Sequence, residues 1–205
     1  MPQPASQSGP VIYTIGHSNH SPEDFVALLR RHEIGMVVDV RSSPYSRYAS
    51  QFNSDALNAI LTRAGIKHVF MGHQLGGRPE GAEFYDRDGY VLYARVASRP
   101  IFQEGIAQVL GLAATCRLAM MCGEEDPTEC HRRLLLARVL AERGATVKHM
   151  RADGRLQTEQ ELAAEEKSRE KDAGQGLLFD FAQVDEWKST QSVLPKKPPN
   201  SSSPR

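Results

Sequence analysis

The chain has 205 residues, of which 40% are apolar and 24% charged, and equal numbers of acidic and basic residues leave it with no formal net charge at pH 7. This suits one domain with a full core, and neutrality excludes a broad electrostatic footprint for nucleic acid or an acidic membrane. No stretch approaches the roughly 20 apolar residues of a membrane helix, MPQPASQSGP lacks the apolar segment of a secretory signal, and three cysteines make no disulfide framework, so a cytoplasmic protein with free thiols is expected.

Residues 1–10 are polar and Pro-bearing and read as a disordered tail. VIYTI (11–15) reads as a strand, and SPEDFVALLRRHE follows as a helix with Ser21 as N-cap, Pro22 at the first position, and Phe25, Leu28 and Leu29 on one face. MVVDV (36–40) is a second strand, SDALNAILTRAG a helix capped by Ser54 and stopped by Gly65, and KHVFM (67–71) a third strand. The Gly-rich stretch 76–99 reads as a long irregular loop, a candidate lid. PIFQEGIAQVLGLAA (100–114) has helical spacing of Phe102, Ile106, Val109 and Ala113, and RLAMMC (117–122) is a fourth strand. Asp126, Pro127 and Glu129 fit the N-cap, first and third positions of a helix running to Arg143, before a fifth strand, TVKHM (146–150).

Apolar strands alternating with helices predict a single α/β domain, residues 11–151, with a mostly parallel five-stranded sheet covered by helices on both faces. From 152 to 205 the sequence turns charged and is expected to be a largely flexible tail.

Polar residues collect where the first four strands end. Ligands bind beyond the carboxyl ends of strands in such sheets, because loops and helix N-termini converge there. His17 and Ser18 follow the first strand, Asp39, Arg41 and Arg47 the second, and His73, Gly76 and Gly77 the third. Cys122, Glu124, Cys130, His131 and Arg132 follow the fourth. The pattern predicts one pocket for an anionic small molecule or nucleotide, clamped by Arg41 and Arg132. Ser18, Asp39, Arg47, His73, Gly76, Gly77 and Glu124 would complete the binding set. His17 or His131 would serve as acid or base, and Cys122 or Cys130 as nucleophile or redox thiol, in a hydrolase or transferase. Placed in the first turn of a helix, Cys130 would have a favoured thiolate; the bland reading is that it packs against Leu134. No cofactor is expected. The metal alternative would use Cys122, Cys130 and His131 with His17 or His73, although C-x7-C-H is not a standard zinc spacing.

Together, TIGHS, DVRSSPYSR, LGGRP and CGEEDPTECHRR, in this order, resemble the family called Domain of Unknown Function 488 over roughly residues 11–151. The resemblance implies an α/β fold and a common site using His17, Ser18, Asp39, Arg41, Cys122, Cys130, His131 and Arg132. It implies no reaction. In the tail, GQGLLFDF places Gln175, Leu178 and Phe179 in a pattern that resembles the peptide by which bacterial DNA polymerases and repair proteins grip the DNA sliding clamp. An accessory role in DNA maintenance through that peptide is therefore one rival to the enzyme, and a metal or thiol redox sensor is the other.

Overall fold

Alternate residues of the central strands feed two separate cores, so the sheet is buried on both faces. The computed structural model describes residues 9–172 and 187–194. In chain order the main elements are β1 (Val11–Gly16), α1 (Pro22–Arg31), β2 (Met36–Asp39), α2 (Ser54–Arg63), β3 (Lys67–Phe70) and α3 (Gly72–Leu75). There follow β4 (Tyr90–Leu92), α4 (Tyr93–Ala97), α5 (Pro100–Ala113), β5 (Leu118–Cys122), a π-helical stretch (Arg132–Ala137) and α6 (Arg138–Glu142). The chain continues through β6 (Thr146–Met150), β7 (Leu156–Thr158), α7 (Glu159–Asp172) and β8 (Lys188–Ser192).

The main sheet has the order β3-β2-β5-β1-β6-β7, parallel except for the antiparallel β6–β7 pair. Ile12, Val38 and Met120 point to the side covered by Phe102 and Ile106 of α5 and Leu136 of the π stretch. Their neighbours Tyr13, Val37 and Ala119 point to the side covered by Phe25 and Leu29 of α1 and Leu57 and Leu61 of α2. Local signals account for the helix ends: the Ser21 hydroxyl accepts from the Asp24 N–H at 3.0 Å, and Pro22 opens α1. In α2 the cap is Asn53 rather than Ser54, a shift of one residue.

Three expectations need correction. The sheet has six strands, not five, because β7 from the supposed tail pairs with β6. The tail does not begin at 152: α7 buries Leu162, its Glu159 bonds the buried His149 ring at 2.6 Å, and Arg133 takes Glu166 with two parallel bonds. Paired charges and one apolar anchor dock a helix whose sequence is otherwise polar. The stretch 76–99 is not a structureless loop. It contains β4 and α4, and β4 exists as a strand because β8, 96 or more residues later, supplies its hydrogen-bonding partner. Trp187 holds that return: its indole N–H donates to the Leu134 carbonyl at 2.8 Å, and its ring packs against Tyr93 and under the Arg138 guanidinium.

No helix among the described residues is long and apolar enough to cross a membrane. Residues 1–8 and the stretch containing Gln175, Leu178 and Phe179 lie outside the described residues.

Candidate functional site

β2, β5 and β1 are neighbours in the sheet, and the polar residues at their carboxyl ends meet at one cavity of about 400 Å³. β1 leads one way to β2 and β5 leads the other way to β6, so the cavity opens at the point where the connections reverse direction. The two central loops are stitched together by backbone bonds from His17 to Cys122 (2.9 Å) and from Ser18 to Gly123 (2.8 Å). Gly16 permits this approach, since a Cβ there would lie 1.8 Å from the Glu124 carbonyl oxygen.

One wall is built around Arg41. Its Nε and Nη2 take both oxygens of Asp39 at 2.9 and 2.7 Å, Nη2 also donates to the Phe52 carbonyl at 2.9 Å, and Nη1 lies 3.3 Å from His17 Nε2. A guanidinium only donates, so His17 Nε2 accepts, and the ring's other nitrogen donates to the Ser18 carbonyl at 3.0 Å. His17 is therefore neutral, in line with burial lowering its pKa. The ring stacks on Phe52. Both its nitrogens are committed, so His17 positions Arg41 and holds no free nitrogen for acid–base work. Asp39 is fully buried; burial pushes its carboxyl up, but Arg41 outweighs this and keeps it below the ordinary range. His68 Nε2, buried and without a hydrogen-bond partner among the described residues, stands 3.9 Å from the same carboxylate. Of the five N–H groups on Arg41, four are used, which leaves one N–H and the charge for the cavity.

A second part of the lining is made by Cys122, Glu124, Cys130 and His131. Both sulfurs lie within hydrogen-bond reach of one oxygen, Glu124 Oε2, at 3.0 and 3.2 Å, and at 3.6 and 3.9 Å from His131 Nδ1. Burial would push the Cys130 thiol up, but hydrogen bonds from Cys122 and His131 and the charge of Arg132 outweigh it and bring it down to about 5. Cys122 moves the other way, well above its ordinary value, through its hydrogen bond to Cys130 and its burial. Glu124 falls to about 2, because bonds from the two thiols outweigh its burial. Burial lowers the His131 pKa, yet the bond to Cys130 outweighs it and the net direction is up.

The helix expected from Asp126 to Arg143 is in three pieces. Asp126 caps a short 3-10 turn (Pro127–Glu129), Cys130 is extended at φ −113° and ψ 139°, and the π stretch and α6 follow. Cys130 thus precedes the helix instead of sitting in its first turn, and its sulfur faces Glu124 and His131 rather than only packing. The inserted π turns are of the kind that occurs at functional sites.

Several expected binding residues stand elsewhere. Arg132 is fully buried, with Nη1 and Nη2 bonded to the Glu124 and Glu125 carbonyls. It shapes the loop and is no anion clamp. His73 is exposed in α3, edge-on to Phe70, because β3 lies outside the three strands that border the cavity. Arg47 is exposed over the Tyr48 ring, and neither it nor Ser18 lines the cavity. Gly76 packs against Ser42 behind the lining, whereas Gly77 is on it, backed against the His131 ring.

Other lining residues stand outside the expected binding set: Ser42, Tyr45, Arg78, Tyr93, and Ser189 and Gln191 from β8. Arg78 follows the LGGRP turn, its backbone N–H donates to Ser42 Oγ at 2.8 Å, and its exposed guanidinium makes no hydrogen bond or ion pair among the described residues. The glycine pair was its signal in the sequence. For β8 the signal was a lone Trp in a polar tail.

Among known proteins, the family model described as Domain of unknown function DUF488 matches residues 21–139. No curated protein and no solved structure matches.

Proposed function

The chain belongs to the family described as domain of unknown function DUF488, and from its own cavity we propose that it is an enzyme acting on a small anionic substrate, one bearing a phosphate or carboxylate. The observation that carries this reading is that two guanidinium groups, two thiols, a carboxylate and an imidazole line one cavity. Arg78 has an uncommitted planar fork suited to bidentate contact with an oxyanion. Arg41 adds a fixed charge and one N–H, held in place before any ligand arrives by Asp39, Phe52 and His17. Tyr45, 59% exposed on the rim, offers a ring face against which a nucleobase or other flat group would stack. A substrate held by the arginines presents its reacting atom to the Cys122–Glu124–Cys130–His131 side, and the cavity is of the size that encloses a nucleotide-sized molecule.

Calorimetric titration of a panel of nucleotides, sugar phosphates and small carboxylates into wild type, Arg41→Ala and Arg78→Ala tests this. At least one ligand should bind, and Arg78→Ala, a surface change that leaves the core intact, should weaken it about 10-fold or more. Equal, negligible binding by all three proteins removes the anion site.

A further inference from the structure

Cys122, Glu124, Cys130 and His131 on the cavity lining make more sense as a ligand set than as a hydrogen-bonded cluster. Cys122 Sγ, Cys130 Sγ and His131 Nδ1 lie within 4.8 Å of one another, and Glu124 Oε2 is 3.0 and 3.2 Å from the two sulfurs. Metal–sulfur bonds of about 2.3 Å and metal–nitrogen bonds of about 2.0 Å at a tetrahedral angle separate S from N by about 3.5 Å. The observed separations are 3.6 and 3.9 Å.

Counting hydrogens leads to the same place. His131 Nε2 lies 3.1 Å from the Val40 carbonyl, which can only accept, so Nε2 carries a hydrogen and Nδ1 turns its lone pair to the sulfurs. That is how a metal-bound histidine is held: the second ring nitrogen donates to a backbone carbonyl and fixes the tautomer. If both thiols give their hydrogens to Glu124, Nδ1 is left with a bare lone pair. If Nδ1 instead takes the Cys130 hydrogen, a thiolate stands 3.2 Å from a carboxylate. If each acceptor takes one thiol hydrogen, the bond to Nδ1 is a long sulfur bond of 3.6 or 3.9 Å. A single cation satisfies the two sulfurs and Nδ1 together, with the Glu124 carboxylate beside the sulfurs as a fourth donor.

We infer that Cys122, Cys130, His131 and Glu124 bind one divalent cation of the zinc class. Two sulfur ligands select a borderline or soft ion over magnesium or calcium. The fourth ligand is Glu124, not His17 or His73: the His17 nitrogens are committed to Arg41 and Ser18, and His73 is exposed in α3. Glu124 lies on the cavity lining and is exposed there, so it is the ligand a substrate oxygen would replace. Gly77 fits its place, because its lack of a side chain lets the chain back onto the His131 ring. The inference rests on the enzyme reading only for the use of the ion, which would supply a Lewis acid beside the anion-binding wall; the binding itself stands alone.

The test uses the full chain, reduced and stripped with a chelator, then titrated anaerobically with zinc and, in parallel, with cobalt(II), whose thiolate charge-transfer absorption reports sulfur ligation. One ion per chain is expected, with a sulfur–cobalt band. Cys122→Ser, Cys130→Ser and His131→Ala should each weaken binding about 100-fold or more, and Glu124→Gln about 10-fold. Circular dichroism of each stripped variant identifies any that fail to fold, and the milder Glu124→Gln then decides. Substoichiometric binding by wild type, or binding unchanged by either cysteine substitution and by Glu124→Gln, overturns the site, as does a Cys122–Cys130 disulfide that forms equally fast with and without zinc. Arg78→Ala should bind the ion like wild type. A wild-type chain that binds the ion but no anion would sink the substrate reading alone, and one that binds an anion but no ion would sink the metal site alone.

Discussion

The loop after β2 and the loop after β5 each bury an arginine beside the same cavity, and the partners differ. Arg41, 7% exposed, is neutralised by the fully buried carboxylate of Asp39. Arg132, 0% exposed, hydrogen-bonds only backbone carbonyls among the described residues, and its Nε has no partner there. A buried charge paired with a carboxylate keeps its position and can still show one N–H to a ligand, whereas a charge spent on carbonyls fixes the course of a loop and shows nothing. A basic residue at a strand end is thus a binding group or a brace according to what else claims its five donors.

The contrast can be broken most sharply at Asp39. Asp39→Ala strands the Arg41 charge in the interior and should cost about 4 kcal/mol in urea unfolding, with loss of anion binding. A change under 1 kcal/mol would mean that the pair is dispensable. Arg132→Leu removes two charge-assisted bonds but leaves only neutral carbonyls behind, so about 2 kcal/mol is expected, with metal binding weakened because the Glu124 backbone is released. If Arg132→Leu proved the more costly of the two, the distinction drawn between the arginines would fail.

Gly77→Ala would put a Cβ 2.5 Å from His131 Cγ and should cost about 1–2 kcal/mol by displacing the ring, read as a lower thermal midpoint together with weaker metal binding. Unchanged values for both would show that the chain slides freely there.

Acid acts away from the cavity, at His149. This ring is fully buried between Thr14 and Glu159, and burial holds its pKa below the ordinary histidine value of 6.5 despite Glu159. The unfolded chain therefore binds the proton first. The stability that His149 contributes is complete above about pH 6.5 and is lost as pH falls toward the lower folded value. The gap in unfolding free energy between wild type and His149→Gln should narrow from pH 7.5 to 5.5, and a constant or widening gap would reverse the sign. The smallest effect is expected at Arg47, exposed over Tyr48, where Ala should change stability by less than about 0.5 kcal/mol and leave ligand affinity alone. A clear loss of affinity there would return Arg47 to the binding set.

Much of this was legible beforehand where the cause is local. Ser21 with Pro22, and Asp126 with Pro127, mark turn and helix starts because the capping bond spans two or three residues. The meeting of His17, Arg41, Cys122 and Cys130 followed from their common place at strand ends. What failed was partner choice. Arg41 and Arg132 look alike in sequence, and nothing near Arg78 in the chain shows that its guanidinium is left uncommitted. Likewise, β4 and β8 lie too far apart for either to announce the other, and the polar face of α7 hides an anchor that only Leu162, His149 and Arg133 explain.

By itself the sequence determined the period of each element, the alternation of strand and helix, and which residue types stand at each strand end, since these depend on neighbours within a turn or a pleat. The tertiary structure alone decided the strand order, and hence that the ends of β1, β2 and β5 share a cavity that the segment after β3 reaches only through Gly77 and Arg78. It also decided which polar atoms are left unsatisfied, because hydrogen-bond capacity is used up by whatever packs nearby, and that is a property of space and not of position along the chain.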